Sequence, residues 1–151
     1  MNNVKLGIVS GYFNPIHKGH IEYINAAKDR CDYLICVVNN DDQVRLKGSK
    51  FFMDENHRLI IVKNLKSIDA ALISIDQDRS ISQTLNKIFE LKKDSNIEFV
   101  FFNSGDAMPE NSNQKEIEVC LKNNIRREFI NLPKTCSSSK LKANLTSDDI
   151  K

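Results

Sequence analysis

Short apolar runs alternate with helix-like segments along this chain, and this alternation constrains the fold more than any other feature of the sequence. Apolar residues recur at intervals of three and four between the runs, as at Ile81, Leu85 and Ile88. The pattern predicts an α/β fold, a three-layer sandwich whose five-stranded, mainly parallel sheet has helices on both faces. The strand-length runs are Leu6–Val9, Tyr33–Val38, Ala71–Ile75, Glu98–Phe102 and Glu128–Leu132.

Polar residues at capping positions predict where several helices begin. A side-chain oxygen just before a helix can accept a backbone N–H of the first turn, and a Glu or Gln three residues later completes a capping box. A last short helix is predicted to begin within Ser137–Ser139. The other predicted starts are Asp54 ahead of Arg58, Ser80 with Gln83, and Asn113 with Glu116.

Length and composition fit one domain and exclude several classes of function. The chain has 151 residues, with 22 Lys plus Arg against 20 Asp plus Glu, so we expect a single domain spanning 1–151. A formal net charge of +2 argues against a nucleic-acid partner or a membrane surface. The four cysteines show neither a C-x-x-C pair nor the spacing of a zinc site, and no secretory signal or membrane-length run is visible. These features predict reduced thiols in a cytoplasmic protein.

Two of the three histidines lie in the segment that follows the first predicted strand. The segment Gly11–His20 reads G-Y-F-N-P-I-H-K-G-H, and helical spacing begins directly after it. A junction from strand to helix offers free backbone N–H groups and the positive end of a helix dipole, which favour phosphate. Gly19 permits close approach of a ligand to the backbone. His17 and His20 can donate hydrogen bonds to oxygens that gain negative charge during phosphoryl transfer.

This string resembles the H-x-G-H signature of the nucleotidyltransferase superfamily, which includes cytidylyltransferases and adenylyltransferases. The resemblance runs from about Lys5 to Leu145 and is closest to the glycerol-3-phosphate cytidylyltransferases and the heptose-1-phosphate nucleotidyltransferases. It implies a Rossmann-like sheet and a catalytic role for His17 and His20. It also implies that the nucleotide is bound by Gly11, Tyr12, Phe13, Asn14, Gly19 and His20.

Basic residues after the second strand also match this superfamily. Lys47 follows an N-x-D segment in the place of a phosphate-binding lysine, and the resemblance implies that it is catalytic and binds phosphate. Arg58 lies in a segment similar to the helix entry at which relatives direct an arginine to the nucleotide and acceptor phosphates. A planar guanidinium suits bidentate contact with phosphate. Lys134 is in a segment where relatives carry an arginine, so it can supply that charge but not the planar group.

Two later segments complete the resemblance, and each contains a departure from it. Gly105 and Asp106 follow the fourth strand in the place of a nucleotide-facing turn, but Ala107 stands where relatives commonly have Arg or an aromatic residue. The serine run looks like the second signature of the superfamily, so Ser137, Ser138 and Ser139 are expected to bind the β- and γ-phosphates. Leu132 precedes it within the segment that lacks the usual arginine.

The resemblance implies transfer of CMP or AMP from CTP or ATP to a small phosphorylated acceptor, with release of pyrophosphate. The acceptor is expected to be a sugar, polyol or amino-alcohol phosphate, and Mg²⁺ is expected to bind mainly through the nucleotide phosphates. A homodimer is also implied, with the apolar region 68–75 as a contact. The departures at Ala107 and Leu132 leave open a nucleotide-binding protein without transferase activity. A role linked to tRNA is disfavoured by the absence of a basic excess.

Overall fold

The computed structural model describes residues 3–104 and 113–132 of the chain. Within these residues, strands and helices alternate as predicted, with one additional short helix after the second strand. The elements in chain order are β1 (Val4–Gly11), α1 (Lys18–Lys28), β2 (Tyr33–Val38), α2 (Asp41–Lys47), α3 (Glu55–Lys63), β3 (Ala70–Ile73), α4 (Ser82–Lys92), β4 (Ile97–Ser104), α5 (Gln114–Lys122) and β5 (Arg126–Ile130).

The five strands form one sheet with the order β3-β2-β1-β4-β5, and all four strand pairings are parallel. This confirms the predicted five-stranded α/β sheet. The chain adds β2 and β3 on one side of β1 and then crosses to add β4 and β5 on the other side. The order therefore reverses at β1, and ligands of such sheets bind beyond the carboxyl ends of the strands at that point.

Alternate side chains of each strand point to opposite faces of the sheet, and each face has its own apolar core. One core includes Val9 of β1, Tyr23 of α1 and Val62 of α3. The other includes Ile8 of β1 and Leu85 of α4. Helices α1 and α3 thus cover one face, and α4 and α5 cover the other, which confirms the three predicted layers. No helix in the described part of the chain is both long and apolar enough to span a bilayer.

The segment after β2 forms a short helix, α2, that is not among the helices predicted from the sequence. Asn40 and Gln43 form a capping box, in which the Asn40 side chain accepts the Gln43 N–H and the Gln43 side chain accepts the Asn40 N–H. Gly48 ends the helix in the left-handed conformation, with φ of 79°. The signal for this helix is present in the sequence as Asn followed by Gln three residues later.

The predicted capping box of Ser80 and Gln83 is wrong. The N-cap of α4 is Ile81, which makes no side-chain capping bond, and the buried carboxylate of Asp76 accepts the N–H groups of Gln83 and Thr84 instead. A charged acceptor from the preceding loop makes a stronger bond than a serine hydroxyl. By contrast, Asp54 caps α3 as predicted.

Two further boundaries differ from the sequence prediction. Asn113 caps α5 as expected, and its side chain accepts the backbone N–H of Glu116. The Glu116 carboxylate, however, accepts the N–H of Ile81 at 2.9 Å instead of completing a capping box with Asn113. Strand β5 begins and ends two residues before the predicted run, because Arg126 and Arg127 pair with Val100 and Phe101 of β4. Local patterns locate an element more reliably than they locate its ends.

Candidate active site

His17 and His20 together cap the first turn of α1. His17 is the N-cap residue, and its Nδ1 accepts the N–H of Gly19 at 3.0 Å. The Nδ1 of His20 accepts the backbone N–H of His17 at 3.2 Å. The spacing H-x-G-H therefore corresponds to a capping box, in which two imidazoles replace the usual hydroxyl and carboxylate.

These two bonds determine which ring nitrogen carries the proton. Because Nδ1 of His17 and Nδ1 of His20 both accept a backbone N–H, each neutral imidazole has its proton on Nε2. The rings stack with 3.9 Å between their centroids and 27° between their planes. One turn of helix thus holds two adjacent Nε2–H donors in fixed orientation.

The environment keeps both histidines neutral. Burial lowers the pKa of His20 to about 3, and the neighbouring His17 imidazole and the positive charge of Lys47 act in the same direction. Burial also lowers the pKa of His17. In the free protein, neutral imidazoles donate hydrogen bonds without adding positive charge to the loop. The negative charge of a bound triphosphate would raise the pKa of both histidines.

The Phe13 ring packs between His20 and the backbone of Gly11. Its buried ring meets the His20 ring edge-on, with centroids 4.9 Å apart. A Cβ at Gly11 would lie 2.8 Å from Cζ of Phe13, so no larger residue fits there without movement of the ring. The backbone of Phe13 has a φ of 50°, in the left-handed region. The backbone of Gly11 thus packs against the Phe13 ring, which in turn contacts His20.

Asn14 is buried and joins the histidine loop to the segment between α2 and α3. Its Nδ2 donates to the carbonyl of Lys50 at 2.6 Å, and its Oδ1 accepts the N–H of Phe52 at 2.8 Å. The sequence resemblance implies that Asn14 binds nucleotide. In the structure its amide group holds two parts of the chain together.

Lys47 lies at the end of α2, near the histidines as predicted. Its ammonium group is 4.4 Å from the centroid of the Tyr12 ring, a distance typical of a cation–π contact. Its charge also contributes to the lowered pKa of His20, which places both side chains in one electrostatic environment. The structure therefore brings together Tyr12, His20 and Lys47.

Arg58 is placed differently from the expectation that it faces phosphate. Its side chain is 0% exposed, and its guanidinium donates to the carbonyls of Tyr12, Asn39 and Met53 and to the carboxylate of Asp41. A rigid fork with five N–H donors suits this task, because it can bond acceptors from several directions at once. In this structure Arg58 is a positioning residue that joins the ends of β1 and β2 to the segments around α2.

A buried amide network beside Arg58 was missed by sequence reasoning. The Oε1 of Gln43 accepts from the side chain of Asn39 and from the N–H of Asn40, while its Nε2 donates to the carbonyls of Asp78 and Ser80. Gln43 is 0% exposed. A buried amide with both ends bonded holds the loop after β3 against the start of α2.

Several predicted site residues lie outside the described residues, namely Gly105, Asp106, Lys134, Ser137, Ser138 and Ser139. Their assignment to nucleotide and phosphate remains a prediction. In the described part of the chain, no three His, Cys, Asp or Glu side chains are grouped in a way that could hold a metal ion.

Comparison with known proteins identifies the family of the chain. A family model described as cytidylyltransferase-like matches residues 8–144. The chain is similar to the FAD synthase of Thermoplasma acidophilum, with 38% identity over 71 residues, 47% of this chain and 50% of that protein. It is also similar to the FAD synthase of Thermoplasma volcanium, with 32% identity over 87 residues, 58% of each. The chain therefore spans about half the length of these curated relatives.

Solved structures show the same fold. The lipopolysaccharide core biosynthesis protein from Thermoplasma volcanium superposes with a TM-score of 0.63 and 25% identity, covering 88% of this chain and 99% of that one. Thermotoga maritima TmcAL bound with alpha-thio ATP gives 0.64 with 15% identity, covering 99% of this chain and 51% of that one. Plasmodium falciparum nicotinic acid mononucleotide adenylyltransferase, complexed with NaAD, gives 0.58 with 18% identity and covers 96% and 85%.

Proposed function

The chain belongs to the cytidylyltransferase-like family, and from this membership we propose that it transfers a nucleotidyl group from a nucleoside triphosphate to a small phosphorylated acceptor. The observation that carries the proposal is the stacked pair His17 and His20, two neutral Nε2–H donors held on the first turn of α1. Such donors stabilise the negative charge that develops on phosphate oxygens during nucleotidyl transfer.

In the proposed reaction, an oxygen of the acceptor phosphate attacks the α-phosphorus of the triphosphate. A bond forms between that oxygen and the α-phosphorus, and the bond from the α-phosphorus to the bridging oxygen breaks. Pyrophosphate leaves with the electron pair. The attacking oxygen is already ionised, so the reaction needs no strong general base, and catalysis depends on in-line positioning and charge stabilisation.

The chain's own residues divide these tasks. His17 and His20 donate to the triphosphate, and Lys47 leaves the Tyr12 ring to contact phosphate. Ser137, Ser138 and Ser139 are proposed to bind the β- and γ-phosphates, Gly105 and Asp106 the nucleoside, and Lys134 a phosphate. Arg58 acts indirectly, because its donors hold Tyr12 and Asp41 rather than a ligand.

ATP is the favoured nucleotide, and Mg²⁺ is the favoured cation. FAD contains an AMP unit, so relatives named FAD synthase support ATP over CTP. In the described part of the chain no group of three or more His, Cys, Asp or Glu side chains could hold a metal ion, and the Asp41 carboxylate is held by Arg58, which suits a cation bound through nucleotide phosphates and water better than one bound in a protein cage. When bound, Mg²⁺ would neutralise part of the phosphate charge.

Pyrophosphate release tests this function directly. ATP, CTP, GTP and UTP should each be combined with phosphorylated acceptors, including glycerol 3-phosphate, a sugar 1-phosphate, phosphoethanolamine and FMN. His17→Ala and Lys47→Ala should each lower kcat by a factor on the order of 10²–10³. The control is His57→Ala, which removes an exposed imidazole of α3.

Two results would contradict these assignments. Wild-type turnover in either variant would show that His17 or Lys47 takes no part in the transition state. If a nucleotide binds but no combination of nucleotide and acceptor releases pyrophosphate, the chain is instead a nucleotide-binding protein without transferase activity.

A further inference from the structure

Helix α2 carries Lys47 as its last residue and is anchored near its start. Of the seven residues of this helix, only Gln43 and Val44 are buried, and Lys47 is exposed. The end of the helix is open, because a Cβ at Gly48 would meet no atom of the described residues within 4 Å. The position of the Lys47 ammonium group therefore depends on the residues that anchor the earlier part of α2.

Gln43 is the anchor that fixes the orientation of α2. Its Nε2 donates to the carbonyl of Asp78 at 2.7 Å and to that of Ser80 at 2.8 Å. Its Oε1 accepts from the Asn39 side chain at 3.0 Å and from the Asn40 N–H at 2.9 Å. The valine that follows contributes an apolar contact, which has no preferred direction. Four hydrogen bonds to one buried amide do have directions, and they fix how the helix lies.

The loop after β3, which accepts two of these bonds, is firmly held in turn. The Asn40 side chain donates to the carbonyls of Ser74 and Asp76 at 3.0 and 2.9 Å. The buried carboxylate of Asp76 accepts two N–H groups at the start of α4. Glu116 of α5 accepts the N–H of Ile81 at 2.9 Å. Helices α4 and α5 thus hold the loop, and the loop holds α2.

This anchor lies close enough to the candidate active site to affect it. Gln43 and Lys47 are four residues apart, so they lie on the same face of α2 with a rise of about 6 Å between them. The Lys47 ammonium group is 4.4 Å from the centroid of the Tyr12 ring, and its charge contributes to the lowered pKa of His20. A change in the tilt of α2 would move this group relative to the histidines. A displacement of about 1 Å at a catalytic group can cost on the order of 10²-fold in rate.

We infer that Gln43 is a positioning residue for Lys47, because its amide fixes the direction of α2 and thereby the place at which the ammonium group meets phosphate. The inference rests on the proposed nucleotidyl transfer for the role of Lys47, and it adds the residue on which that role depends. It predicts that loss of the Gln43 amide lowers kcat only while Lys47 is present.

A double-mutant cycle in the full chain tests this coupling. Gln43→Met keeps the length of the side chain and removes its hydrogen bonds. With ATP and the acceptor of highest turnover, it should lower kcat on the order of tenfold. In the Lys47→Ala background the same substitution should change kcat by less than about twofold, because no ammonium group is left to misplace.

Two further variants accompany this cycle. Gln43→Glu keeps the acceptor of the capping box, but an ionised carboxylate has no donor for the loop carbonyls, so it should lower kcat as Gln43→Met does. Asn123→Leu is the matched control, because it removes a buried amide that bonds Asn86 at 2.9 Å between α5 and α4. It should leave kcat as in the wild type.

A nuclear magnetic resonance signal of the free protein reports the position of Lys47 without turnover. Lysines carrying an isotope label at Cε give proton–carbon signals, and Lys47→Arg identifies the signal of Lys47. Because Lys47 lies over the Tyr12 ring, the ring current should shift this signal upfield. Gln43→Met should move it toward the value of a solvated lysine, and Asn123→Leu should leave it unchanged.

The outcomes separate this inference from the proposed function. An equal loss of kcat from Gln43→Met with and without Lys47 would overturn the inference while nucleotidyl transfer stands. An unchanged Lys47 signal in Gln43→Met would overturn it as well. If no pair of nucleotide and acceptor releases pyrophosphate, the proposed function fails, and the Lys47 signal supports or refutes the positioning by itself. If Gln43→Met does not fold, Gln43→Glu takes its place in both measurements, with the same expected and contradicting results.

Discussion

Removal of His20 should make the stability of the free protein less sensitive to acid. The structure lowers the pKa of His20 to about 3, from 6.5 in an unperturbed side chain. Above pH 6.5, His20 is neutral in both the folded and the unfolded protein. Below pH 6.5, His20 is protonated in the unfolded chain but stays neutral in the folded protein. The free energy of unfolding therefore falls by about 1.4 kcal/mol for each unit by which the pH decreases, until the pH approaches the pKa of the folded state.

The size of the effect follows from these two pKa values. Between about pH 7 and about pH 5, protonation of His20 in the unfolded chain lowers the free energy of unfolding by up to about 2 kcal/mol. His17, whose pKa is also lowered by burial, acts in the same direction. Acidic groups contribute as well, but their effect is common to the wild type and to a variant at position 20.

His20→Gln is the suitable variant, because Gln at this position of a capping box can still accept the N–H of His17. Urea unfolding followed by circular dichroism gives the free energy of unfolding at both pH values. The wild type should lose up to about 2 kcal/mol more than the variant. The control His57→Gln should behave as the wild type does. Equal losses in the wild type and His20→Gln would refute the argument that burial keeps His20 neutral.

Three further predictions concern residues that hold the site in place. Gly11→Ala should lower the free energy of unfolding by about 1–3 kcal/mol in urea titrations, because the added Cβ would lie 2.8 Å from the Phe13 ring. Arg58→Met should cost about 3–5 kcal/mol by thermal or urea unfolding, since it leaves the Asp41 carboxylate and three backbone carbonyls without their donor. If Arg58→Met were as stable as the wild type, the structural role would be refuted and the phosphate contact predicted from the sequence would be favoured. Asp76→Asn should cost about 1–2 kcal/mol, because an amide NH₂ would face an N–H donor at the start of α4. Hydrogen exchange of the Gln83 and Thr84 amides should increase in that variant.

Features that depend on residues close together in the sequence could be predicted from it. The five strands could be located because short apolar runs are local features of the sequence, and the observed strands agree with the predicted runs to within a few residues. The histidine pair was also accessible, because the residues of a capping box are three apart and helix geometry brings them together. Helix α2 is not among the predicted helices, although Asn40 followed by Gln43 is a capping signal for it.

The sequence by itself determined the α/β class, the order of strands and helices along the chain, and the histidine-containing turn ahead of α1 that is proposed to bind phosphate. Tertiary structure decided what the other polar residues do. Arg58 is 46 positions from Tyr12, and Asn14 is 36 from Lys50, so no local pattern indicates that these side chains bond buried backbone. Only packing shows whether an arginine faces a ligand or a set of carbonyls. The physical reason is that burial and hydrogen bonding depend on elements that meet in space after long separations along the chain.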